Sequence, residues 1–185
     1  MKTALTLAAT LLALAPAMAP AQRSTYSGQE TREIKALSDD EVKQYLAGAG
    51  MGYALTAELN RYPGPTHVVD LTGPLALSPE QRAATKRLMN AHKAGAREIG
   101  KRLVEAEQTL DRLFASGNVD EAVLAGQVRM VAALRGDYRL SHLETHRKMR
   151  DLLTADQVER YVRLRGYAGG NQDHDSRLQH GKQHH

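Results

Sequence analysis

Leu77-Ser78-Pro79-Glu80-Gln81 and Leu153-Thr154-Ala155-Asp156-Gln157 are nearly the same five-residue word, written twice in one chain. In the first copy Ser78 is a natural helix N-cap, its hydroxyl accepting from an orphan backbone N–H. Pro79 falls at the first helical position, where its missing N–H costs nothing. Gln81, three residues on from the cap, reaches back to the cap's own N–H and completes a capping box. Thr154 and Gln157 repeat the arrangement, with Leu153 and Val158 spaced as a hydrophobic staple. Each copy also sets an acid, Glu80 or Asp156, in the first turn, where the helix dipole favours it. The word announces a helix start.

Working outward, Leu37-Ser38-Asp39-Asp40-Glu41-Val42 has the same cap, box and staple spacing, and a fourth start falls at Asn118 to Glu121, just after Ser116-Gly117. Gly117 is a good residue to close a helix, so this break reads as a tight turn between two helices. The spacing predicts a first helix from about Asp39 to Asn60, ended by Pro63-Gly64-Pro65 and followed by a linker to Leu77. It predicts a long helix over Pro79–Ala115, a second over about Val119–Leu152 and a short one from Ala155 to about Gly166. Residues 22–36 read as a polar, mobile leader, residues 37–167 as the helical domain, and residues 168–185 as a disordered His-rich tail.

Periodicity supports the long pair. Leu88, His92, Ile99, Leu103, Ala106, Leu110 and Leu113 recur at helical spacing on one arm, and Leu124, Val128, Val131, Leu134, Tyr138, His142, Met149 and Leu152 on the other. Only 4% of the 185 residues are aromatic and Trp is absent, so a core of Leu, Val, Ala and Met in packed helices is expected. The expected class is all-α: a long antiparallel hairpin with shorter flanking helices. Arms of about 50 Å do not bury all their apolar surface alone, so packing by the first helix or by a second subunit is expected.

The start of the chain has its own composition. Lys2, an Ala/Leu run from Ala4 to Ala15 and small residues through Ala21 have the layout of a secretory signal peptide over residues 1–21, with cleavage after Ala19 or Ala21. No later stretch approaches the roughly 20 apolar residues that span a bilayer. With no Cys there is neither a lipid-anchor thiol nor a disulfide. A soluble envelope protein, most simply periplasmic, is the expectation.

An exported, Cys-free chain with an L-[ST]-x-x-Q word at the entrance to a long α-hairpin, and again just after it, resembles the Spy/CpxP family of periplasmic stress proteins over roughly residues 37–167. Related heavy-metal sensors of CnrX type share that architecture. The first word has Ser78 where the family more often has Thr, a minor change for a cap. The resemblance implies an all-helical, cradle-like homodimer that is no enzyme and needs no ATP. Its chaperone members hold unfolded clients on a basic, partly apolar face; other members bind zinc, copper, nickel or cobalt.

Two constellations suit these roles. Arg82, Lys86, Arg87, Lys93, Arg97, Lys101 and Arg102 form a basic run opposed only by Glu98. Folding at Gly117 puts facing residues at positions summing to about 234, which adds Arg139 and Arg147 to the same end of the rod pair. Either this is a solvated helix face or it steers and holds unfolded envelope proteins by charge and methylene stems. Export argues against nucleic acid as the partner. The formal net charge of +4 becomes +3 once Lys2 leaves with the signal.

By the same register His92 faces His142, with His146 one turn further and Met89 and Met149 near. His92, His142, His146 and Met149 form a candidate metal set, two imidazoles at i, i+4 with a thioether suiting copper(I) or another borderline-soft ion. The plain alternative is that the histidines are hydrogen-bonded seam residues beside Tyr138 and the methionines fill core. His174, His180, His184 and His185 are half of the eight histidines and form a second, loose candidate for zinc, copper or nickel. No cofactor is required on either reading. Gly48-Ala49-Gly50-Met51-Gly52 misses the spacing of a dinucleotide loop, and small residues for close helix approach explain it better. No nucleophile or paired-carboxylate pattern points to catalysis.

Overall fold

A computed structural model describes residues 24–167, so the expected signal peptide over residues 1–21 and the His-rich tail lie outside the described residues. Six helices follow in order: α1 (Asp39–Ala47), α2 (Leu55–Leu59), α3 (Pro65–Asp70), α4 (Pro79–Ala115), α5 (Glu121–Leu152) and α6 (Ala155–Leu164). Among the described residues there is no strand, and the fold is all-helical as expected. No helix among them is long and apolar enough to cross a membrane. Helices α4 and α5 pack antiparallel, α1 lies on α4, and α3 touches both arms.

Three capping boxes form: Ser38 with Glu41, Ser78 with Gln81 and Thr154 with Gln157. The fourth start is displaced by two residues. Asp120, whose side chain accepts from the Val123 N–H at 3.0 Å, caps α5 in place of Asn118. Gly117 takes the left-handed conformation, φ 70°, in the turn between the arms.

The first helix ends far earlier than the apolar pattern implied. Gly48 adopts a left-handed φ of 67° and closes α1 after Ala47, its N–H bonding to the carbonyls of Gln44 and Tyr45. Residues 49–54 then run as a loop against α5, where Ala49 accepts from the Tyr138 hydroxyl and Tyr53 meets the Tyr138 and His142 rings, and the expected linker contains α3. Close approach is nonetheless the reason for small residues here. A Cβ on Gly48 would stand 3.1 Å from both the Lys93 carbonyl oxygen and the Arg97 nitrogen, and one on Gly100 would stand 2.1 Å from the Tyr45 carbonyl oxygen. The end of α1 rests directly on the α4 backbone.

The leader is also more structured than its polarity implied. Gln29–Thr31 form a 3-10 turn, Ile34 is only 5% exposed, and Lys35 is tied to Asp111 of α4 by its backbone N–H and, at 3.0 Å, its ammonium. Ile34 and Leu37 join Tyr45, Leu103, Leu134 and Tyr138 in an upper core. A lower core gathers Val68, Leu75, Leu77, Met149, Leu153, Val158 and Tyr161 around the hairpin base. Near the turn no third layer covers the hairpin among the described residues: Phe114 is 58% exposed and Val123 and Val128 are exposed as well.

Candidate functional site: a histidine cleft and a basic helix face

Between the two cores the apolar seam is interrupted by imidazoles. His92 on α4 and His142 on α5 meet with ring centroids 4.4 Å apart and planes at 84°. They line a cleft of about 580 Å³ together with Met89, His146, His67 and the Gly48–Gly50 loop. The register sum of 234 is thus realised at this pair.

His142 is 4% exposed. Its Nδ1 lies 2.9 Å from the Tyr138 carbonyl oxygen, which only accepts, so Nδ1 carries the proton. Nε2 is then a bare lone pair, buried and without a hydrogen-bond partner among the described residues. An unsatisfied buried acceptor costs about 1–3 kcal/mol, which makes this nitrogen the least explained polar atom of the site. Burial pulls the His142 pKa below the ordinary imidazole range, opposed in part by the Tyr138 carbonyl and by the Ala49 carbonyl, which also lies close to the ring. His92 is pushed down to about 4, first by burial and then by the charges His142 and His146 would carry. Both rings are therefore neutral near pH 7, the state in which imidazole donates a lone pair.

His146 is oriented in the same manner as His142. Its Nδ1 donates to the Tyr62 carbonyl at 2.8 Å, leaving Nε2 as the acceptor nitrogen beside Gly64. Met149 is placed elsewhere. It is fully buried in the lower core and is not among the residues lining the cleft. Met89 supplies the cleft's thioether instead. Among the described residues no group of three or more His, Cys, Asp or Glu side chains is placed to hold a metal ion. The second candidate set, His174, His180, His184 and His185, lies outside the described residues.

Two participants were missed in the sequence. His67, expected in a linker, sits on α3, lines the cleft and places Nδ1 3.2 Å from the Tyr161 hydroxyl. Glu58, only 6% exposed, accepts from the Tyr161 and Tyr167 hydroxyls and from the Gly64 N–H, and its other neighbours are His67, His146 and Arg165. Nothing local marks Glu58, whose partners are as far as 109 residues away.

On the opposite account, Arg82, Lys86, Arg87, Lys93, Arg97, Lys101, Arg139 and Arg147 are all exposed. Arg82, Lys86, Arg87, Lys93 and Arg139 make no ion pair among the described residues. Three others are engaged: Arg97 Nε lies 3.4 Å from the Ala47 carbonyl oxygen at the end of α1, Lys101 pairs with Glu105 and Arg147 with Asp151. The interleaved Leu and Met of α4 turn inward. Exposed between the cations are Ala83, Ala91, Ala94 and Gly95. The larger exposed apolar groups near the basic end are Leu46 on α1 and Leu140, which follows Arg139 on α5.

The fold and these surfaces define a helical-hairpin protein with a histidine-lined cleft. Among known proteins, no family model, no curated protein and no solved structure matches the chain.

Proposed function

We propose that the protein is an exported, ATP-independent chaperone or envelope-stress protein of the Spy/CpxP type, working in the periplasm on unfolded or misfolded envelope proteins. The observation that carries the reading is the unpaired cationic stripe Arg82, Lys86, Arg87 and Lys93 on a long exposed helix. Side chains not committed to partners of their own are free to steer a client by charge and to cover it with methylene stems. Such contacts are individually weak, which suits release without fuel. The test is the aggregation of a chemically unfolded client, followed by light scattering at low and high salt without nucleotide. Suppression that fades with salt, and fades equally in a variant carrying Arg82, Lys86, Arg87 and Lys93 as Glu, is expected. Suppression that survives the reversal of all four charges overturns the reading.

A second reading, capture of a transition-metal ion in the cleft, is favoured by the lone pair of His142 Nε2 standing beside His92. Titration of the protein with zinc, nickel, cobalt and copper tests it, and binding unaffected by His92→Ala removes it.

A further inference from the structure

The metal reading admits zinc, nickel, cobalt and copper alike, and the donors the structure brings together choose among them. We propose that the cleft is a low-coordinate site for a soft monovalent ion, copper(I), bound by His92 and His142 with the Met89 thioether as a third donor. The inference rests on the cleft being a metal site at all.

Three features select the ion class. The donor set is neutral: two imidazoles and one thioether, with no carboxylate placed among them. Hard and borderline dications are stabilised by anionic oxygen or thiolate, and the cleft lining offers neither. Copper(I) takes two or three soft or imidazole donors and loses little by their neutrality. The charge environment points the same way. Lys93 is among the residues of the cleft, and a positive charge near a site opposes a dication twice as strongly as a monocation. The nearest carboxylate to any cleft histidine, Glu58, stands 3.3 Å from His67 and 3.7 Å from His146 and already accepts from two tyrosines and a backbone N–H.

The contact that would orient one donor is already made. His142 donates Nδ1–H to a backbone carbonyl, the contact that fixes the tautomer and aims Nε2 in metal-binding imidazoles. His92 is the adjustable partner: half-buried at the cleft and held by no hydrogen bond among the described residues. Imidazole nitrogens sit about 2 Å from a bound ion, so rings now 4.4 Å apart at their centroids must separate by roughly 1–2 Å. A rotation of His92 into the open cleft provides that movement without shifting α5. His146, turned toward Tyr62 and Gly64, lies outside this set.

The test uses the full chain with His174, His180, His184 and His185 replaced by Ala, so that the tail contributes no ligand. Copper(I) is offered under a reductant in competition with a coloured copper(I) chelator, and silver(I) serves as a redox-inert probe. One ion per chain is expected, with affinity falling about a hundredfold or more in His92→Ala. X-ray absorption is expected to give two nitrogen donors and one sulfur, the sulfur vanishing in Met89→Leu. Circular dichroism matching the parent keeps each variant's result interpretable, and His92→Gln repeats the loss with a polar side chain of similar length. Copper(I) held no more tightly by the parent than by His92→Ala overturns the proposal. Zinc or nickel bound through His92 while copper(I) and silver(I) are refused overturns it too, yet leaves the cleft a metal site. Refusal of every ion removes both.

Discussion

Gln81 and Gln157 meet amide to amide at the base of the hairpin. Gln81 Nε2 lies 2.8 Å from Gln157 Oε1, and Gln157 Nε2 lies 2.9 Å from Gln81 Oε1. Each oxygen also accepts its own cap N–H, from Ser78 or Thr154, and the amide nitrogens reach the Leu152 and Leu75 carbonyls. The two copies of the word are therefore one interlocked structure. Each glutamine completes its own capping box and braces the other's, which is why the spelling recurs.

Replacing Gln157 by Leu leaves the Thr154 N–H and one face of the Gln81 amide unpartnered, and a loss of about 1–3 kcal/mol in folding stability is expected. Urea unfolding of Q81L, Q157L and the double variant measures it. Because the pair acts jointly, the double variant is expected to cost at least 0.5 kcal/mol less than the sum of the singles, roughly. Simple additivity would show that the bridge contributes nothing.

Gly100→Ala and Gly136→Ala make a matched pair. Both lie inside long helices, where Ala is normally favoured over Gly by about 1 kcal/mol. At Gly136 nothing stands within 4 Å of the new Cβ, so a gain of roughly 0.5–1 kcal/mol is expected. At Gly100 the methyl meets the Tyr45 carbonyl oxygen at 2.1 Å, and α1 must leave α4 or shift along it. Thermal melts of opposite sign are the expected outcome, and a stabilised G100A would mean that α1 does not rest where it is described.

Acid is expected to weaken the fold through the histidine pair. His92 is held near 4 and His142 also below the free value, whereas unfolded imidazoles titrate near 6.5, roughly. The unfolded chain therefore binds protons first, and the stabilisation present above that value is lost as pH falls toward 4. Melting temperatures taken from pH 7 to 4.5 should drop more steeply for the parent than for His92→Gln. Parallel curves would assign the acid sensitivity to other groups.

Glu58→Ala is expected to loosen α6. The substitution removes the acceptor of the buried Tyr161 hydroxyl, leaving it only His67 Nδ1, and strands the Gly64 N–H, at a cost of about 1–3 kcal/mol. Hydrogen exchange of residues 155–164 reports it. Uptake there unchanged from the parent contradicts a bracing role for this carboxylate.

Helix starts and the long seam were legible because caps and apolar periods act over three or four residues. Ser38, Ser78 and Thr154 each cap as spelled, and the register that pairs His92 with His142 follows from one turn position. Asp120 displaced Asn118 because both are good caps within two residues, and propensity does not choose between them. The stop at Gly48 was hidden for another reason: a glycine that ends a helix and one that admits a neighbour look alike, and this one does both. Met149 and Met89 are alike by type and reach, and only the relative rotation of two helices puts one in the core and the other in the cleft. Glu58 and His67 gain their meaning from partners on α6, a relation that no window of neighbouring residues contains.

The bare end of the hairpin, with Phe114, Val123 and Val128 uncovered, sits at the far side of the molecule's bracing from Gln81 and Gln157. The two arms are in effect a cantilever, clamped by amides at the root and free at the tip. Thermal breathing should grow along its length, so amide deuteration ought to run fastest around Gly117 and slow steadily toward residues 85 and 149. A body that encounters this molecule would thus find a stiff handle at one end and a yielding pair of fingertips at the other.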